Sequence, residues 1–74
     1  MNILKQIGMR IRYLRKKKGL SQLGLSLEAD VNKNYISDLE RGTRNPSLVV
    51  LERIAYALEV DLSTLFKGIQ SFED

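Results

Sequence analysis

This sequence predicts an all-α fold, a compact bundle of about five short helices, on three observations. Apolar residues recur at spacings of three and four along most of the chain, and strand alternation fits nowhere well. Capping residues precede the apolar segments at Ser21, Asn32, Ser47 and Asp61, and Gly19 and Gly42 close the first and third helices. The chain has 74 residues and no cysteine, so its helices must share one small core without disulfides.

The elements follow in order. Ile3, Ile7, Ile11 and Leu14, with Leu4 beside them, form one face of an amphipathic helix. That helix should stop at Gly19, after the cationic turn Lys16-Lys17-Lys18, which suits the negative end of the helix dipole. Ser21 caps a second helix containing Leu23, Leu25 and Leu27, and Gly24 within it costs roughly 1 kcal/mol relative to alanine. Asp30-Val31-Asn32 reads as a tight turn, because Asp tolerates a left-handed backbone better than most residues. Asn32 caps a third helix running to about Arg41 and ended by Gly42.

Thr43-Arg44-Asn45-Pro46 is a loop, since Pro46 lacks a donor and pushes Asn45 out of the helical region. Ser47 caps a fourth helix carrying Leu48, Leu51, Ile54, Ala55 and Leu58. Asp61 caps a short fifth with Leu62, Leu65 and Phe66. Residues 1–68 are read as the domain and 69–74, which include Ile69 and Phe72, as a short tail. A domain of this size buries only about 60% of its unfolded-chain surface. The late apolar residues Leu58, Leu62, Leu65, Phe66 and Ile69 are therefore candidates for burial against a second copy of the chain, the alternative being that they complete the monomer core.

Composition narrows the function. Hydrophobic residues make up 43% and charged residues 28%, a globular balance. With no cysteine and no histidine, thiolate chemistry, the commonest general base and the commonest metal ligand are all missing, which argues against an enzyme and against a metal. Neither a spanning segment nor a leader is recognisable, since Lys5, Arg10 and Arg12 interrupt the first apolar residues. The expectation is a cytoplasmic protein without cofactor or membrane partner. The net charge of +3 is unevenly spread: residues 1–18 hold seven bases and no acid, whereas residues 45–74 sum to −3. Such asymmetry lets one end face a polyanion, although a solvated charge run would look the same.

The informative stretch is Ser21 to Gly42, two short helices joined by about three residues, the helix-turn-helix arrangement. Helices that cross closely need small residues, for which Ser26 and Ala29 are candidates, and Val31 can plug the core after the turn. The third helix should bury Ile36 and Leu39 and turn Lys33, Asn34, Ser37 and Asp38 outward near its N-terminal end.

Ser21-Gln22, Val31, Tyr35-Ile36-Ser37, Glu40-Arg41-Gly42 and Arg44-Asn45-Pro46-Ser47 together resemble the Cro and phage-repressor class of helix-turn-helix regulators over about residues 5–66. Within that class the chain is most similar to the controller proteins of restriction–modification systems and to small phage and plasmid repressors. It departs from the pattern at Asp30, Gly24 and Ser26, where Gly, a helix-favouring acid and Ala are usual. The resemblance implies a homodimer that binds double-stranded DNA at a palindromic operator, with RNA polymerase as a further candidate partner.

Carried onto this sequence, the resemblance assigns base reading to Lys33, Asn34, Ser37 and Asp38, with Asp38 alternatively restraining a neighbouring side chain. Lysine suits guanine and asparagine suits adenine. It assigns backbone contacts to Gln22, Asn32, Tyr35, Thr43, Arg44 and Asn45, and a structural ion pair to Arg15 and Glu40. Arg41 could cap the helix end. Lys16-Lys17-Lys18 reads as mostly solvated. The competing function is a protein-interaction module, antitoxin-like or antirepressor-like, whose main partner is another protein.

Overall fold

The computed structural model describes residues 2–69. It contains five helices: α1 (Ile3–Lys17), α2 (Gln22–Ala29), α3 (Lys33–Arg41), α4 (Leu48–Ala57) and α5 (Leu62–Leu65). Among the described residues there is no strand. Each helix begins on a side chain that accepts a hydrogen bond from a first-turn amide. Asn2 accepts from the Lys5 N–H, Ser21 from Gly24, Asn32 from Asn34, Ser47 from Val50 and Asp61 from Thr64. That last bond, with further help from the Thr64 and Ser63 side chains, holds the Asp61 carboxyl below its ordinary range.

The helix ends follow from backbone chemistry. Asp30 closes α2 in the left-handed region (φ 56), and the Val31 N–H donates to the Ser26 carbonyl at 3.0 Å. Glu59 does the same after α4 at φ 60. Gly42 closes α3 at φ 79, and a Cβ there would also lie 2.6 Å from Lys5 Cγ. Two demands, a left-handed backbone and a neighbouring chain, thus meet at that one residue.

The core gathers Ile7, Ile11 and Leu14 from α1, Leu25 and Ala29 from α2, Ile36 and Leu39 from α3, Leu51, Ile54 and Ala55 from α4, and Leu65 from α5. The helices pack α1 on α3 and α5, α2 on α3 and α4, and α4 on α5. Ser26 and Ala29 are buried where α2 crosses its neighbours, and the Ser26 hydroxyl donates to the Leu23 carbonyl at 2.7 Å. Val31 packs against the core from the turn.

One expectation needs correction. Leu58 and Leu65 are not available to a partner, because the single chain already leaves them 5% and 0% exposed. α5 folds back onto α1 and α4 and closes the core with them. Ile69, the first residue of the tail, is partly buried and packs on the core. Phe72 and the rest of the tail lie outside the described residues.

A close contact between α1 and α3 runs through Gly8, which the sequence reading did not single out. It is buried in mid-helix, and a Cβ there would stand 2.2 Å from the Leu39 carbonyl oxygen and 3.0 Å from that of Glu40. Those are backbone atoms and cannot swing aside. Gly8→Ala is expected to force α1 and α3 apart and cost about 3 kcal/mol, the upper end for overpacking. Urea denaturation checks this, and an unchanged midpoint would refute the close approach.

Candidate nucleic-acid interface

The helix-turn-helix is α2, the turn Asp30 to Asn32, and α3. What fixes α3 is a polar junction beneath it. Arg15, on α1, donates from Nε to Glu40 Oε2 at 2.6 Å and from Nη2 to Glu40 Oε1 at 2.9 Å, while its Nη1 donates to the Leu20 carbonyl at 2.9 Å. Gln22 Nε2, at the start of α2, donates to the same Glu40 Oε1 at 3.1 Å. The two charged side chains are 9% and 2% exposed, which makes this a buried, two-pronged pair tying three helices together. The Glu40 hydrogen bond raises the Arg15 pKa above its ordinary value, against the opposing effect of burial. Among the described residues no buried side-chain polar atom lacks a partner.

The outer face of α3 carries the four residues predicted to read bases. Lys33 and Asn34 are exposed in its first turn, while Ser37 and Asp38, one turn on, are partly covered. Asn32 is exposed, and its Oδ1 accepts from the Asn34 N–H at 2.7 Å. Asp38 is paired with Arg41 through Oδ1 and with Arg44 through Oδ2, the latter at 3.5 Å. Arg41 Nη1 also donates to Ser37 Oγ at 2.9 Å, so Arg41 lies along the helix face and does not simply cap its end.

The Arg44 guanidinium sits over the Tyr35 ring at 4.3 Å, and the Tyr35 hydroxyl accepts from the Ser47 N–H at 3.4 Å. Tyr35 therefore packs on the core edge and braces the loop at once. Thr43 and Asn45 are exposed in that loop, and the Thr43 hydroxyl donates to the Asp38 carbonyl at 3.2 Å. Gln22 is half-buried beneath α3, where it buttresses Glu40.

Of the proposed dimer residues, Leu62, Phe66 and Ile69 remain partly exposed. The sequence reading missed more exposed apolar surface on α4, where Leu48 is 67%, Val49 58% and Tyr56 84% exposed. Val49 and Tyr56 stand seven residues apart, opposite the stripe Leu51, Ile54 and Leu58, and that spacing could have revealed them. Among the described residues no three His, Cys, Asp or Glu are grouped to hold a metal, and no helix is long and apolar enough to cross a membrane.

The fold and the site define a protein that presents one short helix, rimmed by cations, from a three-helix platform. Comparison with known proteins agrees. The family model described as helix-turn-helix matches residues 11–65, and the chain belongs to that family. Control protein C.MunI of a Mycoplasma species is 42% identical over 72 residues, which cover 95% of this chain and 97% of that protein. The crystal structure of the restriction–modification controller protein C.AhdI from Aeromonas hydrophila superposes with a TM-score of 0.84 at 41% identity, over 85% of this chain and 96% of that one. SinR solved in complex with DNA superposes at 0.78 with 42% identity, over 82% of this chain and 98% of that one. Against two longer relatives, a phage immunity repressor and the regulator SlrR, the chain spans 41% and 40% of their length.

Because the junction is buried, removing one partner strands a charge. Arg15→Ala or Glu40→Ala should each lose about 3 to 5 kcal/mol of stability. Replacing both together, as Arg15→Met with Glu40→Leu, should recover most of that loss. Chemical denaturation of the three variants checks this, and additive losses in the double variant would contradict it.

Proposed function

We propose that the chain is a sequence-specific DNA-binding transcriptional regulator that engages a palindromic operator as a homodimer, in the manner of a restriction–modification controller protein or a small phage or plasmid repressor. The observation that carries this reading is the exposed first turn of α3, with Lys33 and Asn34 at its head, locked from behind by the Arg15–Glu40–Gln22 junction. A recognition helix must enter the major groove with a fixed rotation, and this junction supplies the fixing. The control-protein relatives and the SinR–DNA structure support the same reading.

Roles divide by chemistry. Lys33 donates to guanine O6 or N7, Asn34 pairs with adenine, and Ser37 adds a hydroxyl at the groove. Arg44, Tyr35, Thr43 and Asn45 face phosphates beside the loop, with Asn32 and Gln22 at the helix starts, and set register without reading sequence. Leu62, Phe66 and Ile69 join the exposed apolar residues of α4 as candidate surface for the second copy. The two α3 helices of a dimer would reach successive major grooves about 34 Å apart. Occupancy of a promoter in the cytoplasm then blocks or recruits RNA polymerase.

Selection of bound sites from random duplexes is the primary test. A palindrome with half-sites one helical turn apart is expected, and enrichment of no sequence would sink the reading. Lys33→Ala should lower affinity and relax preference at one base position. Arg44→Ala should weaken binding to every duplex and make the log–log salt slope shallower by about one. A salt slope left untouched would remove Arg44 from the phosphate contacts. Light scattering decides the dimer: a monomer at micromolar concentration would favour a protein-interaction module instead.

A further inference from the structure

We propose that Asp38 is a positioning residue that sets sequence discrimination by restraining Arg41 and Arg44, and that it does not itself read a base. This deepens the DNA-binding reading above and rests on it. Both carboxylate oxygens of Asp38 are committed, Oδ1 to Arg41 and Oδ2 to Arg44. The arginines are the outer layer: their side chains are 62% and 45% exposed, whereas that of Asp38 is 28%. A cytosine amino group approaching this face finds both carboxylate oxygens already paired with guanidinium groups.

The restraint extends in both directions. Arg41 is tied back to Ser37 Oγ at 2.9 Å. Arg44 is held between Asp38 and the Tyr35 ring, and the Tyr35 hydroxyl is anchored by the Ser47 N–H. One network thus runs Ser37, Arg41, Asp38, Arg44, Tyr35 from the middle of α3 into the following loop.

Two unrestrained arginines on this face would take phosphates wherever they found them, and such contacts add affinity for every sequence equally. With Asp38 between them, their joint charge falls from +2 to +1, and each guanidinium is directed to one place. Their phosphate contacts then form only in the register that also satisfies Lys33 and Asn34. Specificity is a difference between two affinities, and a carboxylate facing phosphates lowers the wrong one.

The experiment compares the intact chain with Asp38→Asn, Asp38→Glu and the double variant Asp38→Asn with Arg44→Ala. Binding is measured to the duplex enriched by selection and to a mixed-sequence duplex, each across a range of salt. Asp38→Asn should bind the mixed duplex about tenfold tighter, with a log–log slope steeper by about one, and its ratio of specific to non-specific affinity should fall. Asp38→Glu should keep the wild-type slope, and the double variant should return to it. An Asp38→Asn protein with unchanged slope and ratio overturns the inference. So does one that loses affinity only for sites with a particular C·G pair, which would make Asp38 a base reader. A wild-type chain that binds no duplex overturns the DNA-binding reading itself, a result separable from either. Thermal melts identify any variant that fails to fold, and Asp38→Ser then takes the place of Asp38→Asn.

Discussion

The placement of α3 depends on one buried carboxylate. Glu40 receives Arg15 from α1 and Gln22 from α2, and Arg15 also reaches the Leu20 carbonyl in the connection between them. An isolated helix of nine residues would not be stable in water, so α3 exists because its neighbours hold it. Apolar contacts through Ile36 and Leu39 bury it but discriminate poorly among small rotations. The ion pair does discriminate. Each one-residue slip turns a helix by about 100°, which would carry the carboxylate away and leave a guanidinium buried without a partner. A buried pair adds little net stability compared with an apolar replacement, so its contribution here is register.

Steric closeness supplies the second constraint, and it acts on the same two helices. At Gly8 the backbone of α1 lies against the last turn of α3 with no side chain between, and at Gly42 the chain leaving α3 passes Lys5 at similar range. Long side chains between helices can change rotamer, whereas backbone pressed on backbone cannot. The contact therefore makes α1 and α3 a single rigid piece, and Glu40 sits beside it. Polar register and steric contact are thus adjacent, and the exposed first turn of α3 projects from their far end. A site built on such a platform holds its side chains more closely than one borne on a loop.

Much of this was legible in the sequence, for local reasons. Ser21, Asn32, Ser47 and Asp61 cap helices because short polar side chains reach their own first-turn amides, a relation visible within three residues. Asp30 takes the left-handed turn that its side chain tolerates. The Arg15–Glu40 pair, by contrast, spans 25 positions, and only resemblance to a family pointed to it. Gly8 was illegible because glycine in a helix reads as a weakness until the opposing backbone is known. Leu58 and Leu65 were misjudged because late position was taken for spare surface, when a small bundle needs its last helix to close the core. The partners of Asp38 were half legible: Arg41 follows at helical spacing, but Arg44 reaches it only through the fold of the loop.

Charge along the chain is likewise a poor guide to charge on the surface. Residues 1–18 carry seven bases and look like the part that would meet a polyanion. Folding redirects several of them. Arg15 is buried on Glu40, Lys18 pairs with Glu59, Arg10 donates to the Thr64 carbonyl, and Arg10 and Lys17 both lie against the Tyr13 ring. A helix of that length has a circumference, and Arg10, Tyr13 and Lys17 occupy the side turned away from Gly8 and Arg15, hence away from α3. Three of the seven bases, Arg10, Arg15 and Lys18, thus join this segment to other elements, while Lys5, Arg12 and Lys16 stay exposed. The stretch from α3 into its loop, nearly neutral in sequence, is where exposed cations and uncharged donors converge on one face, because Asp38 lies beneath two arginines and Glu40 points inward. The surface field is set by which acids the fold withdraws as much as by which bases the sequence supplies.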